Sequence, residues 1–245
     1  MNYLLYLTLL NLILVSRLKL LFKDEGSEKK DALIMGLFPC LPLPFIEISS
    51  GWFFLLSWLV IYPWLFLLSE RRSKNLNRNR LLMLLLHIVI IGLLSSPMFN
   101  LSFNGLVNTL SGFVNMVFIL GEKARVNWMS MQIALFGFLL VVNETNILLR
   151  YLLNVFRLKP IGDRGLKTDE KEYNTGRLIG ILERIFVYIF VLLGQFAAIG
   201  FILAAKGVAR FQDFKSRTFA EYVLIGTLIS TLLAMIVGFL VKALI

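Results

Sequence analysis

The sequence predicts an all-α protein that crosses a membrane several times. Hydrophobic residues make up 58% of the 245 residues and charged residues only 16%, whereas a soluble domain carries about 25% charged residues. The apolar residues form stretches close to the roughly 20 residues that a helix needs to cross the hydrocarbon core. Lys and Arg are concentrated in a few short segments between these stretches. Together these observations predict a single integral membrane domain over residues 1–245, built as a bundle of transmembrane helices.

The apolar stretches predict about eight spans, with six as the lower limit, and some of them are short or broken by proline. They lie near residues 2–16, 32–48, 52–69, 81–96, 131–149, 178–194, 196–210 and 221–242. The first stretch has no basic start and no small-residue cleavage site, so we interpret it as a retained helix and not as a signal peptide.

The basic residues predict the orientation of these spans. Five Lys and Arg residues lie in 17–30, five in 71–80, seven in 150–177 and four in 206–217. Short loops rich in Lys and Arg stay in the cytoplasm, so an even number of spans must separate each pair of these segments, and both termini lie outside. The net charge of +10 follows this arrangement and does not indicate nucleic acid.

The second stretch contains the segment "FPCLPLPF" with Pro39, Pro42 and Pro44. Each proline removes a backbone donor and interrupts a helix. We favour a proline-rich external turn that joins two short helices. The alternative is a broken or re-entrant segment that lines a watery cavity.

Residues 97–121 carry no charge but contain a periodic row of polar side chains. Its members are four, three and four residues apart and share one face of a helix: Asn104, Asn108, Ser111 and Asn115. We favour an amphipathic helix on the outer membrane surface, because a full crossing would place the 150–177 loop outside. The alternative is a stripe that lines a water path.

The fifth span carries Asn143, Glu144 and Asn146 near its middle. A carboxylate at this depth is expensive, so it faces the bundle interior, pairs with a base or titrates. Two interpretations have equal weight: Glu144 handles protons or cations, or it is a structural partner of Arg184 while the asparagines bond to neighbouring helices. For His87, in the fourth span, an interhelical hydrogen bond is favoured over ligand binding.

The sixth span has a polar stripe whose members are seven, four and seven residues apart. They fall at nearly one angle on a helix: Arg177, Arg184, Tyr188 and Gln195. Arg184 lies about 10 Å deeper than Arg177 by helix rise and therefore needs a carboxylate or water. Glu144 is the preferred acid, and Glu183 and Glu221 are the reserves.

Small residues predict close helix packing and a homo-oligomer. Gly176 and Gly180 form a GxxxG pair, and the last span has a small face made of Thr227, Thr231, Ala234 and Gly238. Lys206 and Arg210 are one helical turn apart at the predicted cytoplasmic end of the seventh span, where we favour contact with anionic lipid headgroups over specific anion binding.

The segment 176–230 resembles a bacterial integral-membrane family, domain-of-unknown-function family 3307. The resemblance is carried by "GRLIGILER", "LLGQFAAIGFILAAKGVARF" and "AEYVLIGTLIS" and covers less than a quarter of the chain. It implies a multi-pass protein of the bacterial inner membrane with a family-like half at 176–243, and it implies no activity. The first half, 1–156, departs from the family, because no His- and Asp-containing helix motif appears before Asp24.

Sequence motifs of enzymes are absent: there is no HExxH, GxSxG or P-loop, and the chain has one His and one Cys. No metal site, cofactor or catalytic residue is predicted. The favoured function is a small oligomeric channel or transporter-like protein with an intramembrane polar path of Glu, Arg and Gln side chains. The alternative is a membrane effector or scaffold that a soluble cytosolic partner regulates through the basic loops. An intramembrane lipid-modifying enzyme is the third and weakest option.

Overall fold

The computed structural model describes residues 2–72, 75–107, 109, 127–156, 170–209 and 217–245. Every regular element named in these ranges is helical, which confirms the predicted all-α class. The α-helices are α1 (Tyr3–Arg17), α2 (Lys29–Cys40), α3 (Ser50–Arg72), α4 (Leu76–Leu94), α5 (Trp128–Leu139), α6 (Thr145–Val155), α7 (Glu170–Leu193), α8 (Phe196–Ala209) and α9 (Arg217–Leu244). A short π-helical segment, Leu140–Glu144, joins α5 to α6.

Five helices in the described part of the chain are long and apolar enough to cross a membrane. They are Tyr3–Leu20, Ser50–Arg72, Leu76–Leu94, Trp128–Val155 and Ala220–Leu244. By length and composition, these helices indicate a membrane protein. Of the remaining predicted spans, α8 is apolar but has only 14 residues, and α7 has 24 residues but carries charges in its first half.

Contacts within the chain divide it into two compact units, residues 1–136 and 137–245. The boundary falls inside α5, whereas the sequence places the end of the first half after α6, at residue 156. We therefore describe each unit separately.

The first unit is built on α1 to α4, with α1 and α3 each contacting both α2 and α4. Its apolar core lies where these helices face one another and includes Leu5, Leu9, Leu55, Leu59 and Ile91. A second apolar cluster includes Ile13, Met35, Tyr62 and Phe66.

The stretch that includes the predicted second span is a broken helix. The helix α2 has 12 residues and ends at Cys40, and a 3-10 turn follows at Leu43–Phe45, because Pro42 and Pro44 cannot donate the hydrogen bonds that would continue it. Residues 32–48 are therefore not one continuous helix. The short α2 and the proline-rich turn agree with the favoured interpretation, although the following helix, α3, is long.

This broken segment nevertheless runs along most of the length of α3. At one end the backbone N–H of Ser27 donates to Glu70 of α3, and at the other end the Trp52 indole of α3 donates to the carbonyl of Leu43. Trp52 and Glu70 are separated by about 27 Å of helix rise. Residues 27–43 thus cover close to the thickness of a hydrocarbon core, which is about 30 Å.

A buried ion pair closes one end of the first unit. Arg80 donates from Nε to Glu70 at 2.7 Å, and only 2% of either side chain is exposed. The two other guanidinium nitrogens of Arg80 donate to the carbonyls of Lys23 and Glu25 at 2.8 and 2.9 Å. The pair therefore ties α3 and α4 to the loop that follows α1.

Helix α1 reaches the same cluster through Arg17. Its Nη2 donates to the carbonyl of Arg80 at 3.1 Å, and its guanidinium lies 5.7 Å from the centre of the Phe66 ring. Such a cation–π contact stabilises a cation that is removed from water.

In the second unit, α7 packs against α9 and α8, and α9 also contacts α6. Close contact depends on two glycines. A Cβ atom on Gly137 would overlap the Val241 side chain, and one on Gly238 would lie 2.8 Å from that of Val191.

A tight turn at Gly194 connects α7 to α8. Gly194 has φ of +73°, and the N–H of Gln195 donates back to the carbonyl of Phe190 at 2.8 Å. This left-handed conformation, which satisfies a terminal carbonyl, is the usual way in which glycine ends a helix.

We expect Gly194→Ala to lower the free energy of unfolding by about 1 to 2 kcal/mol, the cost of the left-handed conformation for a residue with a Cβ. Gly200→Ala is the matched control, because a Cβ there meets nothing within 4 Å and alanine favours helix. Denaturant titration of both variants in detergent measures the difference. Equal stability of the two variants would contradict the conformational argument.

Candidate functional site

A cavity of about 290 Å³ lies among α6, α7, α8 and α9 in the second unit. Four cations and one carboxylate line it: Arg150, Arg177, Arg184, Lys206 and Glu183. Asn146, Tyr222, Thr227 and Ser230 add neutral polar groups. The lining thus carries three more positive than negative side chains.

The cavity lies at one end of the second unit. Its lining residues come from α6, from the part of α7 up to Arg184, from the first half of α9, and from the last turn of α8. Under the predicted orientation, these helix ends adjoin the cytoplasmic loops 150–177 and 206–217. The cavity would then open near the cytoplasmic headgroups.

Arg184 is the most deeply buried cation of the cavity, with 3% of the residue exposed. Its Nε donates to the carbonyl of Val141 and its Nη1 to the hydroxyl of Ser230, each at 3.2 Å. Its Nη2 has no hydrogen-bond partner among the described residues. Because its two hydrogen bonds go to neutral oxygens, Arg184 keeps its full positive charge. Its Nη2 can donate a further hydrogen bond.

The π-helical segment explains why Val141 can accept this hydrogen bond. In an α-helix the N–H of Thr145 would donate to Val141, but here it donates to Leu140. The carbonyl of Val141 is therefore accessible to the Nε of Arg184. Single π-helical turns of this kind are frequent at functional sites.

Glu183, a reserve partner of Arg184 in the sequence prediction, instead forms an ion pair with Lys206. Both side chains are about one-fifth exposed or less. The pair ties the end of α8 to the middle of α7. Lys206 thus lies in the cavity wall, and its predicted contact with headgroups stays a prediction, whereas Arg210 lies outside the described residues.

Glu144 is buried in the π-helical segment, where its carboxylate accepts a hydrogen bond from the side-chain amide of Asn143 at 2.9 Å. Glu144 was the preferred acid for Arg184, but the hydrogen bonds of Arg184 go to neutral oxygens. Asn146, three residues after Asn143, is buried and lines the cavity. Asn143 and Glu144 thus bond to each other, whereas Asn146 lies in the cavity wall.

The predicted polar stripe of the sixth span holds for three of its four members. Arg177, Arg184 and Tyr188 are all buried along α7. Gln195 is exposed and lies beyond the end of the helix, because Gly194 turns the chain before the stripe can continue. Extrapolating the helical angle through this glycine was wrong.

The small residues serve two different surfaces. Gly176, Gly180 and Thr227 line the cavity, and a Cβ on Gly180 would come within 4 Å only of Nη1 of Arg184. Ala234 is fully buried and Gly238 is pressed against Val191, while Thr231 is half-buried. Within the second unit, the GxxxG pair therefore lines a cavity, whereas Ala234 and Gly238 lie where the helices pack closely.

Of the four residues in the predicted outer polar stripe, the structure describes only Asn104. Its side-chain amide donates to the carbonyl of Pro44, and its Oδ1 accepts from the N–H of Leu106. Asn104 thus starts a short helical turn and holds the proline-rich turn in place. The other three members, Asn108, Ser111 and Asn115, lie outside the described residues.

The indole of Trp58 on α3 donates to Nδ1 of His87 at 3.2 Å, so the predicted interhelical hydrogen bond of His87 is confirmed. No group of three or more His, Cys, Asp or Glu side chains that could hold a metal ion occurs in the part of the chain that the structure describes.

Sequence reasoning missed Arg150, Tyr222 and Ser230 as members of the site. Their spacing held a signal: Tyr222, Gly226 and Ser230 are four residues apart and share one face of α9, as Asn146 and Arg150 do on α6. Each row was short and was interrupted by apolar residues.

Comparison of the chain with protein-family models, with curated proteins and with solved structures gives no match. The resemblance of 176–230 to domain-of-unknown-function family 3307 therefore stays a prediction.

Proposed function

We propose that this chain is a small channel or transporter-like membrane protein, in which the cavity of the second unit forms part of a polar path for anions. The proposal is supported by one observation above all: four cations and one carboxylate line a single cavity between the helices of the second unit. Intramembrane ionisable groups are costly and usually mark substrate or ion pathways.

The excess of positive side chains in the cavity favours an anion as the transported ion. Glu144 alone had suggested protons or cations. Glu144 is absent from the cavity lining, and Glu183 is neutralised by Lys206. Cavities lined by one sign of charge concentrate ions of the opposite sign.

The proposed topology has eight crossings, with both termini outside, in a bacterial inner membrane. The helices α1, α3, α4, α5 with α6, and α9 are supported by their length. The broken segment that contains α2 follows α3 over about 27 Å, and α7 and α8 form a hairpin around Gly194. This arrangement leaves the basic segments on one side.

The proposed protein works as a homo-oligomer. A row of large apolar residues is exposed along α9, four residues apart: Leu224, Leu228, Leu232 and Ile236. A second copy of the chain could bury this row together with lipid.

The test is ion flux through the purified full-length protein in liposomes of zwitterionic lipid. We expect chloride efflux to exceed potassium efflux. Lys206→Glu lowers the excess of positive side chains in the cavity from three to one, so we expect it to reduce chloride efflux about tenfold, at the lower end of the gain from electrostatic focusing.

Lys242→Glu is the control, because Lys242 is an exposed cation at the end of α9 and does not line the cavity. It should leave chloride efflux near the wild-type value. Potassium efflux equal to chloride efflux, or equal losses in the two variants, would overturn the proposal.

A further inference from the structure

We propose that the cavity of the second unit binds a phosphate group, either of a lipid headgroup or of free phosphate. This inference names the anion class for the proposed function and rests on it. The juxtaposition that carries it is three arginines and a lysine around one cavity, with an unpartnered, buried guanidinium nitrogen on Arg184.

The donor set favours an oxyanion over a halide. Arginine presents a planar fork of N–H groups that matches two oxygens of a phosphate or carboxylate. A halide can accept these bonds but offers no separate oxygens for donors that converge from α6, α7 and α8. The hydroxyls of Thr227 and Ser230, on α9, lie in the same wall and are further groups that commonly bind phosphate oxygens.

The charge balance favours a phosphate over a carboxylate. Glu183 forms an ion pair with Lys206, and the other cations of the lining are the arginines. A carboxylate brings one negative charge, whereas inorganic phosphate or a phosphate monoester carries nearly two at neutral pH. A phosphate therefore suits a lining with more cations than carboxylates, and a phosphodiester headgroup still offers two free oxygens to the arginines.

The size and position of the cavity fit a small headgroup. Its volume of about 290 Å³ is at the lower limit of small-molecule sites. Leu149, Leu153 and Val223 form an apolar part of the wall, beside which an acyl chain or a glycerol backbone could lie. Basic pockets between helices at the cytoplasmic side commonly bind anionic headgroups.

The test measures the thermal stability of the purified full-length protein in a non-ionic detergent. The probes are inorganic phosphate, phosphatidic acid and phosphatidylglycerol, with sodium chloride at matched ionic strength and phosphatidylcholine as references. We expect a saturable rise in Tm with a phosphate-bearing anion and none with the references. A rise with inorganic phosphate identifies a free-phosphate site, and a rise with the anionic lipids alone identifies a headgroup site.

The decisive variant is Gly180→Leu, which fills the cavity and leaves every charge in place. A Cβ at Gly180 has only the flexible end of Arg184 within 4 Å, so the helix can accept the change. We expect this variant to weaken the apparent Kd at least tenfold. Gly200→Leu, on the exposed side of α8 with open space around its Cβ, should bind like the wild type.

Two results would overturn the inference: no phosphate-bearing anion raises the Tm above the references, or Gly180→Leu and wild type respond alike. Either result would leave the anion path intact if chloride efflux remains sensitive to Lys206→Glu. Conversely, phosphate binding without chloride efflux would reject the proposed function and keep the site.

Discussion

Replacing Glu70 with leucine is expected to lower the free energy of unfolding by about 3 to 5 kcal/mol, the typical cost of removing one partner from a buried ion pair. Glu70 accepts the Nε hydrogen bond of Arg80 and the N–H of Ser27. Without the carboxylate, the guanidinium of Arg80 stays buried and loses its ion-pair partner. The loop after α1 would lose its tie to α3 as well.

Arg71→Leu is the matched control for this variant. Arg71 is the next residue on α3 and is exposed, so its removal should change the stability by less than about 0.5 kcal/mol. Titration with a denaturing detergent in mixed micelles measures both variants.

The double variant Glu70→Leu with Arg80→Met separates the cost of an unbalanced buried charge from the cost of altered packing. Because it removes both charges of the pair, it should be more stable than Glu70→Leu alone. Losses that simply add, or a Glu70→Leu variant as stable as Arg71→Leu, would show that the pair does not hold this end of the unit.

Sequence patterns predicted the class of the fold because they depend on local composition. The apolar stretches near 52–69 and 81–96 became α3 and α4, since hydrophobic length alone selects a transmembrane helix. The prolines after Cys40 predicted the interruption of the second stretch, because the loss of a backbone donor is also a local property.

The ion pair of Glu70 and Arg80 could not be predicted in the same way. In the sequence both residues stand in a basic segment that flanks two spans, and the orientation rule counts Arg80 as one more cytoplasmic charge. Only the packing of α3 against α4 and the loop after α1 shows that this arginine is buried. Glu70 and Arg80 are ten residues apart and lie on different helices, so their contact produces no periodic pattern in the sequence.

The candidate site was predicted in part, for a related reason. Arg177, Arg184 and Tyr188 share a face of α7 because helical periodicity is regular, but the partner of each side chain depends on the neighbouring helices. The π-helical segment shifts the register of the fifth span, so the carbonyl of Val141 lies next to Arg184 where a carboxylate was expected. The helix propensities of residues 140–144 did not predict this π-helical segment.

The second large effect is expected for Arg184→Met, which should lower the free energy of unfolding by about 1 to 3 kcal/mol. The variant removes the two hydrogen bonds to Val141 and Ser230. A buried acceptor left without its donor costs this much, although the loss of a buried charge offsets part of it. Phosphate binding in the cavity should be lost at the same time.

A pair of double-mutant cycles decides which group holds Arg184 in place. Arg184→Met with Ser230→Ala should show a coupling of about 0.5 to 3 kcal/mol, as expected for residues in contact. Arg184→Met with Glu144→Gln should be additive within about 0.5 kcal/mol, because the two hydrogen bonds of Arg184 go to Val141 and Ser230. Strong coupling to Glu144 with none to Ser230 would instead restore the buried acid–arginine pair that the sequence suggested. In that case the deepest cation of the cavity would be neutralised within the protein, and the anion path would lose its main support.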